Sequence, residues 1–189
     1  MRQIKQYANI VGFDDSPFDK LRDKEVLVVG TVMRGLQSIN GFMTTKVKID
    51  GADSTSKLIS LISKSKFRTQ LKAVLLDGIA FGGFNVIDIK KLSRTFSIPV
   101  IVIIRRKPDI DLIIKTLIKI KKKSSITLID NAGTPAKLGK IYVQYAGCSL
   151  KQVKDILRIS TSNAEIPEPL RISHLIAAAM IKGESSGDA

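Results

Sequence analysis

Three stretches near the start of the chain carry the pattern of β-strands. Residues 7–13 and 26–33 are almost wholly apolar, as in strands that are buried on both faces. Residues 42–49 alternate between an apolar and a polar face, which is typical of a strand with one side in solvent. Glycines at both ends of residues 35–41 predict a hairpin loop between the second and third strands. We therefore expect three antiparallel strands in this part of the chain.

The remainder of the chain alternates between helical and strand patterns. Apolar residues spaced three and four apart predict helices over residues 54–63, 86–96, 108–123, 150–159 and 169–181. Short apolar runs predict strands over residues 73–76, 99–104, 126–129 and 141–145. The run at 99–104 is rich in β-branched residues, as in parallel strands with both faces covered. This order predicts an α/β fold with a mixed sheet, three antiparallel strands followed by parallel strands, flanked by helices.

The length of 189 residues suits one domain with a substantial core. We predict a single domain over residues 1–182 and a flexible tail over residues 183–189. A single Cys and a single His exclude a Cys/His zinc site. The start of the chain lacks the apolar segment of a secretory signal, and no apolar stretch is long enough to cross a bilayer. We therefore expect a cytoplasmic protein without a membrane partner.

The charge of the chain is strongly positive, with a net charge of +14 and a pI of about 10.0. Such a charge favours an anionic partner, nucleic acid above all, although a lysine-rich surface can also serve solubility alone. Basic residues cluster at 105–107, after a predicted strand, and at 119–123, where the helix dipole also explains them. Lys46 and Lys48 share one face of the third strand and could extend a basic track.

Three aspartates carry the candidate chemistry. Asp14 and Asp77 end apolar runs, and Asp53 precedes the helix predicted at 54–63. Carboxylates that meet at neighbouring strand ends repel one another, and a divalent cation relieves this repulsion. Mg²⁺ and Mn²⁺ prefer such oxygen ligands and support phosphodiester cleavage. Successive side chains of a strand point to opposite faces, so only one of Asp14 and Asp15 should enter the site. We choose Asp14 because it directly follows the apolar run.

Simpler explanations exist for each aspartate. An Asp at a strand end is often part of a turn, through a hydrogen bond to its own backbone. Asp53 could be the N-cap of the following helix. Other acids also lie near predicted element ends, namely Asp50, Asp88, Asp109, Asp111 and Asp130. The pattern alone does not separate these sets.

Several motifs resemble those of endonuclease V. Residues 141–157 and the pattern Pro-Glu-Pro-x-Arg-x-x-His at 167–174 look like the C-terminal part of that family. Gly-Phe-Asp-Asp-Ser at 12–16 is similar to its first metal-ligand strand, and Leu-Leu-Asp-Gly at 75–78 is similar to its Val-Asp-Gly strand end. The blocks at 12–16 and 77–85 resemble more closely still a small uncharacterised family, mainly archaeal, that shares the endonuclease V fold.

The resemblance implies a ribonuclease H-like fold with Asp14, Asp53 and Asp77 at one metal site. Asp53 stands where endonuclease V carries a Glu, which is one methylene longer. Arg105 stands at a Lys of the nuclease site and could hold a phosphate with its planar guanidinium, although it could also be a plain surface charge. His174 matches a His near that site, and its alternative is an ordinary helix residue.

The chain departs from endonuclease V at two blocks. Residues 45–51 lack the aromatic and prolines of the wedge that opens the strand at a deaminated base, so inosine recognition is not supported. Residues 82–85, Gly-Gly-Phe-Asn, replace a His-Pro-Arg block. Phe81 and Phe84 could stack on a base, or either could belong to the core. Glycines allow close backbone approach to a ligand, so the predicted substrate-binding residues are Gly78, Gly82, Gly83, Phe84, Asn85 and Arg105.

The leading hypothesis is a Mg²⁺- or Mn²⁺-dependent nuclease acting on DNA or RNA. In it Asp14, Asp53 and Asp77 hold the metal, Arg105 steadies charge and His174 assists or positions. The first alternative is a nucleic-acid-binding protein with a degenerate site and no catalysis. The second is a small-molecule enzyme that uses the same pocket on a nucleotide.

Overall fold

The computed structural model describes residues 5–162 and 164–185, which form a seven-stranded sheet flanked by helices. The strands of this sheet are β1 (Asn9–Asp15), β2 (Glu25–Arg34), β3 (Ser38–Lys48), β4 (Leu71–Asp77), β7 (Val100–Ile104), β8 (Ala136–Leu138) and β9 (Ile141–Ala146). A separate two-stranded ribbon pairs β5 (Ala80–Phe81) with β6 (Asn85–Val86). The helices are α1 (Ser54–Lys64), α2 (Ile89–Phe96), α3 (Ile110–Lys119), α4 (Lys123–Ala132), α5 (Leu150–Ser160) and α6 (Glu168–Lys182).

The strand order in the large sheet is β3-β2-β1-β4-β7-β9-β8. The first three strands form the predicted antiparallel meander, and β4 and β7 then run parallel to β1. The carboxyl ends of β1, β4 and β7 therefore meet at one edge of the sheet. The predicted α/β class with a mixed, helix-flanked sheet is confirmed, and the arrangement is that of the ribonuclease H-like fold.

Helices cover both faces of the sheet and create two cores. One core packs α1 and α2 on the sheet through residues such as Leu58 and Leu92. The other packs α5 and α6 on the opposite face through residues such as Ile156 and Leu170. The central strands β1, β4 and β7 contribute side chains to both cores, which explains their continuous apolar sequence. Among the described residues, no helix is both long and apolar enough to cross a bilayer.

Two predictions for residues 108–132 were wrong. The helix predicted over 108–123 ends at Lys119, and Lys121 has a φ of 60° where the chain turns into α4. The strand predicted over 126–129 is instead part of α4. A four-residue apolar run fits either structure. Here the buried residues Ser125, Ile129 and Ala132 follow a helical spacing, and Ile129 packs with Leu117 of α3.

Smaller differences concern element boundaries and one strand direction. The helix predicted over 86–96 begins at Ile89, capped by the Asp88 side chain, which accepts a hydrogen bond from Lys91 N. The loop predicted over 35–41 is shorter because β3 already begins at Ser38. The last strands are not parallel, since β9 pairs antiparallel with β7. The final helix ends at Lys182, and residues 186–189 of the predicted tail lie outside the described residues.

Candidate metal centre

Two carboxylates and one imidazole converge at the edge where β1 and β4 end. Asp14, Asp77 and His174 each offer one ligand atom, and these atoms all lie within 4.8 Å of one another. We call this group the metal centre. The Asp14 carboxylate accepts from the backbone N–H of Asp15 (2.9 Å), and its other oxygen lies 2.8 Å from His174 Nδ1. Three residues separated by up to 160 positions in sequence thus share one small volume.

Helix α6 can place His174 beside Asp14 because the residue of β1 that faces the start of the helix is a glycine, Gly12. A Cβ at Gly12 would lie 2.6 Å from the carbonyl carbon of Pro169, so only glycine lets the helix approach this closely. The buried Ser173 hydroxyl donates to Gly12 O (2.8 Å) and accepts from Thr31 N (3.0 Å). These bonds fix the helix on β1 and β2, one residue before the imidazole.

Burial and charge shift the pKa values of Asp14 and His174. Burial raises the pKa of Asp14, and the nearby Asp77 carboxylate acts in the same direction; these effects outweigh the hydrogen bond to His174. The hydrogen bond to Asp14 raises the pKa of His174 above its ordinary value. The pair therefore holds a proton more firmly than two isolated side chains would.

The donor set fits a divalent cation. Carboxylate oxygens suit Mg²⁺ and Mn²⁺, and an imidazole nitrogen suits Mn²⁺ better than Mg²⁺. Burial raises the pKa of Asp14, the Asp77 carboxylate adds to this rise, and a bound cation would offset both effects by stabilising the charged carboxylates. The residues present thus fit a metal ion.

Arg105 lies at the same edge, just after β7. Its Nη2 donates to Asp77 Oδ2 at 2.9 Å, and its side chain is partly exposed. The guanidinium therefore neutralises part of the acidic charge at this edge of the sheet. Four of the five residues predicted for catalysis, Asp14, Asp77, Arg105 and His174, are brought together by the fold.

Asp53 does not belong to this group. Its Oδ1 accepts from Lys48 N at 3.1 Å and from Asn85 Nδ2 at 2.6 Å. It occupies the N-cap position of α1 without a side-chain cap bond. Its contacts hold the end of β3 against the first residue of β6, so the structure gives Asp53 a supporting position. The role of Asp53 as a metal ligand stays a prediction.

We expect replacement of Asp53 to separate these two roles. Asp53→Asn keeps an acceptor oxygen for Lys48 N and should leave cleavage within about tenfold of the native rate. Asp53→Ala removes the acceptor of both hydrogen bonds and should lower the free energy of unfolding by about 1 kcal/mol. Metal-dependent cleavage rates and urea denaturation measure these effects. Loss of cleavage in Asp53→Asn equal to the loss in Asp77→Asn would restore Asp53 to the ligands.

Most of the predicted substrate-binding side chains make contacts within the protein. Asn85 is wholly buried, accepts from Ser54 N (3.0 Å) and donates to Lys48 O (2.9 Å). Phe81 is wholly buried in the core, whereas Phe84 is half-buried with Lys20 Nζ at 5.4 Å from its ring centroid. These side chains shape the loop.

The three predicted substrate-binding glycines have positive φ values, which favour glycine over other residues. Gly78, Gly82 and Gly83 have φ values of 84°, 54° and 85°. The N–H of Gly82 donates to Asp15 (2.7 Å), and a Cβ at Gly83 would meet the Asp50 carboxylate at 2.5 Å. Only Gly78 directly follows a residue of the metal centre. The turn thus explains Gly82 and Gly83 without a ligand.

Sequence reasoning missed the contacts of two residues, Asp15 and Lys122. The two neighbouring aspartates point to opposite faces, and Asp15 joins the end of β1 to the turn at Gly82. Lys122 donates to the carbonyls of Asp50 and Gly51, which ties the start of α4 to the loop after β3. Burial lowers the pKa of Lys122. The adjacent acid pair was visible in the sequence, but the partners of Lys122 were not, because they lie 71 and 72 residues away.

The burial of Asp15 makes the stability of the metal-free protein depend on pH. Burial raises the pKa of Asp15 to about 6 from 3.8. Between these values the folded protein binds a proton that the unfolded chain has lost, so stability falls as pH rises through this window. We expect Asp15→Asn to remove up to about 3 kcal/mol of this dependence. Urea denaturation in EDTA from pH 4 to 7 measures it, and an unchanged slope in the variant would contradict this account.

Comparison with known proteins identifies relatives over almost the whole chain. The family model for endonuclease dU matches residues 6–181. The UPF0215 protein of Methanothermobacter thermautotrophicus is 42% identical over 194 residues, which cover 100% of this chain and 95% of the relative. The predicted resemblance to a mainly archaeal family is thereby confirmed.

Solved structures agree with this assignment. The crystal structure of a protein of unknown function from Archaeoglobus fulgidus has a TM-score of 0.87 and 40% identity, and the match covers 93% of this chain and 99% of that chain. Endonuclease V from Ciona intestinalis, in complex with DNA containing an inosine, has a TM-score of 0.61 and 19% identity over 93% of this chain and 86% of that chain. At this identity the second likeness concerns the fold.

Proposed function

The chain belongs to the endonuclease dU family, and we propose on this basis that it is a divalent-metal-dependent nuclease that hydrolyses phosphodiester bonds in DNA or RNA. One observation carries the proposal: Asp14, Asp77 and His174 meet within 4.8 Å at the carboxyl edge of the sheet. Ligand sites of α/β folds lie at this edge. The basic character of the chain, +14 at neutral pH, matches a polyanionic substrate.

DNA that contains deoxyuridine is the first substrate to test. The description of the family, endonuclease dU, names this nucleotide. The fold neighbour from Ciona intestinalis holds DNA containing an inosine, but residues 45–51 of this chain contain no aromatic residue and no proline to serve as a wedge. A deaminated pyrimidine is therefore a better candidate than inosine.

The residues at the edge have separable tasks in this proposal. Asp14, Asp77 and His174 would hold the ion, which supplies Lewis-acid stabilisation of charge on the phosphate when it is bound. Arg105, which is bound to Asp77, would bring a permanent positive charge next to a phosphate at this edge. The contact of His174 Nδ1 with Asp14 orients the imidazole, which would hold the ion in its neutral form through the other ring nitrogen. The Gly12–Ser173 contacts keep that imidazole in place.

A cleavage assay tests the proposal. The purified protein is incubated with matched duplex and single-stranded DNA, each with and without one deoxyuridine, and with the corresponding RNA. We expect cleavage with Mn²⁺ or Mg²⁺ and none in EDTA. Absence of any product from every substrate, with a folded protein and either ion, would contradict the proposed function.

A further inference from the structure

Arg105 and a bound ion would share one carboxylate, that of Asp77. The guanidinium donates to Asp77 Oδ2 at 2.9 Å, and Asp77 also supplies one of the ligand atoms that lie within 4.8 Å of one another in the metal centre. The Asp77 side chain is only 15% exposed, and that of Arg105 is 36% exposed. Because the pair is partly sheltered from water, its charges act on a neighbouring ion more strongly than charges on the open surface do.

The metal centre has little negative charge to spare. Asp14 is buried, and one of its oxygens lies 2.8 Å from His174 Nδ1. When both carboxylates are ionised and the imidazole is neutral, as metal binding requires, the guanidinium leaves the centre with a single net negative charge. The carboxylate of Asp53, the third acid predicted for this site, contacts Lys48 N and Asn85 Nδ2.

The net charge of the centre changes sign when a divalent ion binds. Two carboxylates alone would neutralise the ion, whereas with Arg105 present the loaded centre keeps one net positive charge. Like charges at this separation repel each other, so the guanidinium opposes the entry of the ion. The same excess of positive charge attracts an anion, and each phosphate of a nucleic acid carries one negative charge.

The charge of Arg105 also reaches the imidazole of the centre. The hydrogen bond to Asp14 raises the pKa of His174, while burial and the positive charge of Arg105 oppose this rise. A guanidinium that affects His174 and contacts Asp77 is close enough to affect an ion held by these two residues.

We propose that Arg105 is the resident cation of the metal centre, which weakens binding of the divalent ion to the free protein and strengthens binding of a phosphodiester to the ion-loaded protein. The inference rests on the proposed function, because the phosphodiester is the substrate. It gives an order of loading, in which the ion is held loosely until a phosphate offsets the excess positive charge. A guanidinium is always charged near neutral pH, so this effect does not depend on protonation.

The first test titrates Mn²⁺ into the metal-free protein without nucleic acid and follows free Mn²⁺ by electron paramagnetic resonance. Arg105→Gln should bind Mn²⁺ at least about fivefold more tightly than the native protein. Arg105→Lys keeps the charge and should stay within about twofold of the native affinity. The matched control is Arg106→Gln, which removes the same charge from the next, exposed residue and should also stay within about twofold.

The sign of the change distinguishes the proposed role from a structural one. If Arg105 only holds Asp77 in place, Arg105→Gln loosens a ligand and Mn²⁺ binds more weakly. Weaker or unchanged Mn²⁺ binding by a folded Arg105→Gln protein would therefore overturn the proposal. Far-ultraviolet circular dichroism checks the fold, and Arg105→Met, which also lacks the charge, replaces the glutamine variant if that variant does not fold.

The second test measures phosphate binding at saturating Mn²⁺. Fluorescence anisotropy gives Kd for a labelled DNA duplex that contains one deoxyuridine and phosphorothioate linkages, which slow hydrolysis. Arg105→Gln should bind this duplex at least about fivefold more weakly, although its ion site is full. Arg106→Gln should bind it no more than about twofold more weakly. Equal losses in these two variants would assign the effect to general surface charge and overturn the proposal.

The outcomes separate this inference from the nuclease. Both titrations are independent of cleavage, so tighter Mn²⁺ binding together with weaker DNA binding by Arg105→Gln would support the role of Arg105 even if the native protein cleaved no substrate. Cleavage by the native protein, together with native Mn²⁺ and DNA affinities in Arg105→Gln, would keep the nuclease and remove the inference.

Discussion

Asp77→Asn is expected to lower metal-dependent cleavage at least about a hundredfold, because loss of a ligand should cost at least as much as loss of a residue that supports one. The asparagine keeps the size of the side chain and can still accept from Arg105 Nη2, which now lies 2.9 Å from the carboxylate. The negative charge that binds the cation is lost. Single-turnover cleavage rates at several Mn²⁺ concentrations measure the effect.

The matched control for this variant is Asp130→Asn, which removes an identical charge from an exposed position of α4. It should cleave at the native rate. The far-ultraviolet circular dichroism of both variants should match the native protein. Native cleavage by a folded Asp77→Asn protein would exclude Asp77 from the metal centre.

Gly12→Ala is expected to produce the largest loss of stability. The new methyl group would lie 2.6 Å from the carbonyl carbon of Pro169 and 2.7 Å from Leu170 N, both backbone atoms that cannot rotate away. We expect α6 to shift outward and the free energy of unfolding to fall by about 3 kcal/mol. The shift also moves His174 from Asp14, so Mn²⁺ should bind more weakly. Urea denaturation and titration calorimetry measure the two effects.

Gly139→Ala provides the comparison for Gly12→Ala. Its Cβ would meet no atom within 4 Å, but the φ of 61° is costly for any residue other than glycine. We therefore expect a loss of about 1–2 kcal/mol and an unchanged affinity for Mn²⁺. If Gly12→Ala kept both its stability and its Mn²⁺ affinity, the close helix contact would not be what positions His174.

The sequence was most informative where one physical rule determines the outcome. The apolar runs that end at Asp14 and Asp77 predict buried strands, and parallel strands place their ends at one edge. The alternation of side chains along a strand also predicts that Asp14 and Asp15 point to opposite faces of the sheet. These rules are local or depend only on strand direction, so they hold without knowledge of the packing.

The sequence was least informative where a side chain chooses between distant partners. Nothing near Asp53 in the chain shows that its carboxylate contacts Asn85, which is 32 residues away. The run at 126–129 is equally ambiguous, because its helical spacing becomes meaningful only through packing of Ile129 with Leu117 of α3 and Val86 of β6. Buried polar contacts and short apolar runs both depend on tertiary neighbours that the pattern does not contain.

Crystals of the protein soaked in Mn²⁺ and measured at an anomalous wavelength test the central claim most directly. The account predicts an anomalous peak within coordination distance of Asp14 and Asp77, about 2.0–2.3 Å from at least one oxygen of each. A fully soaked crystal in which the peak contacts neither carboxylate, or in which no peak lies at this edge of the sheet, would contradict it.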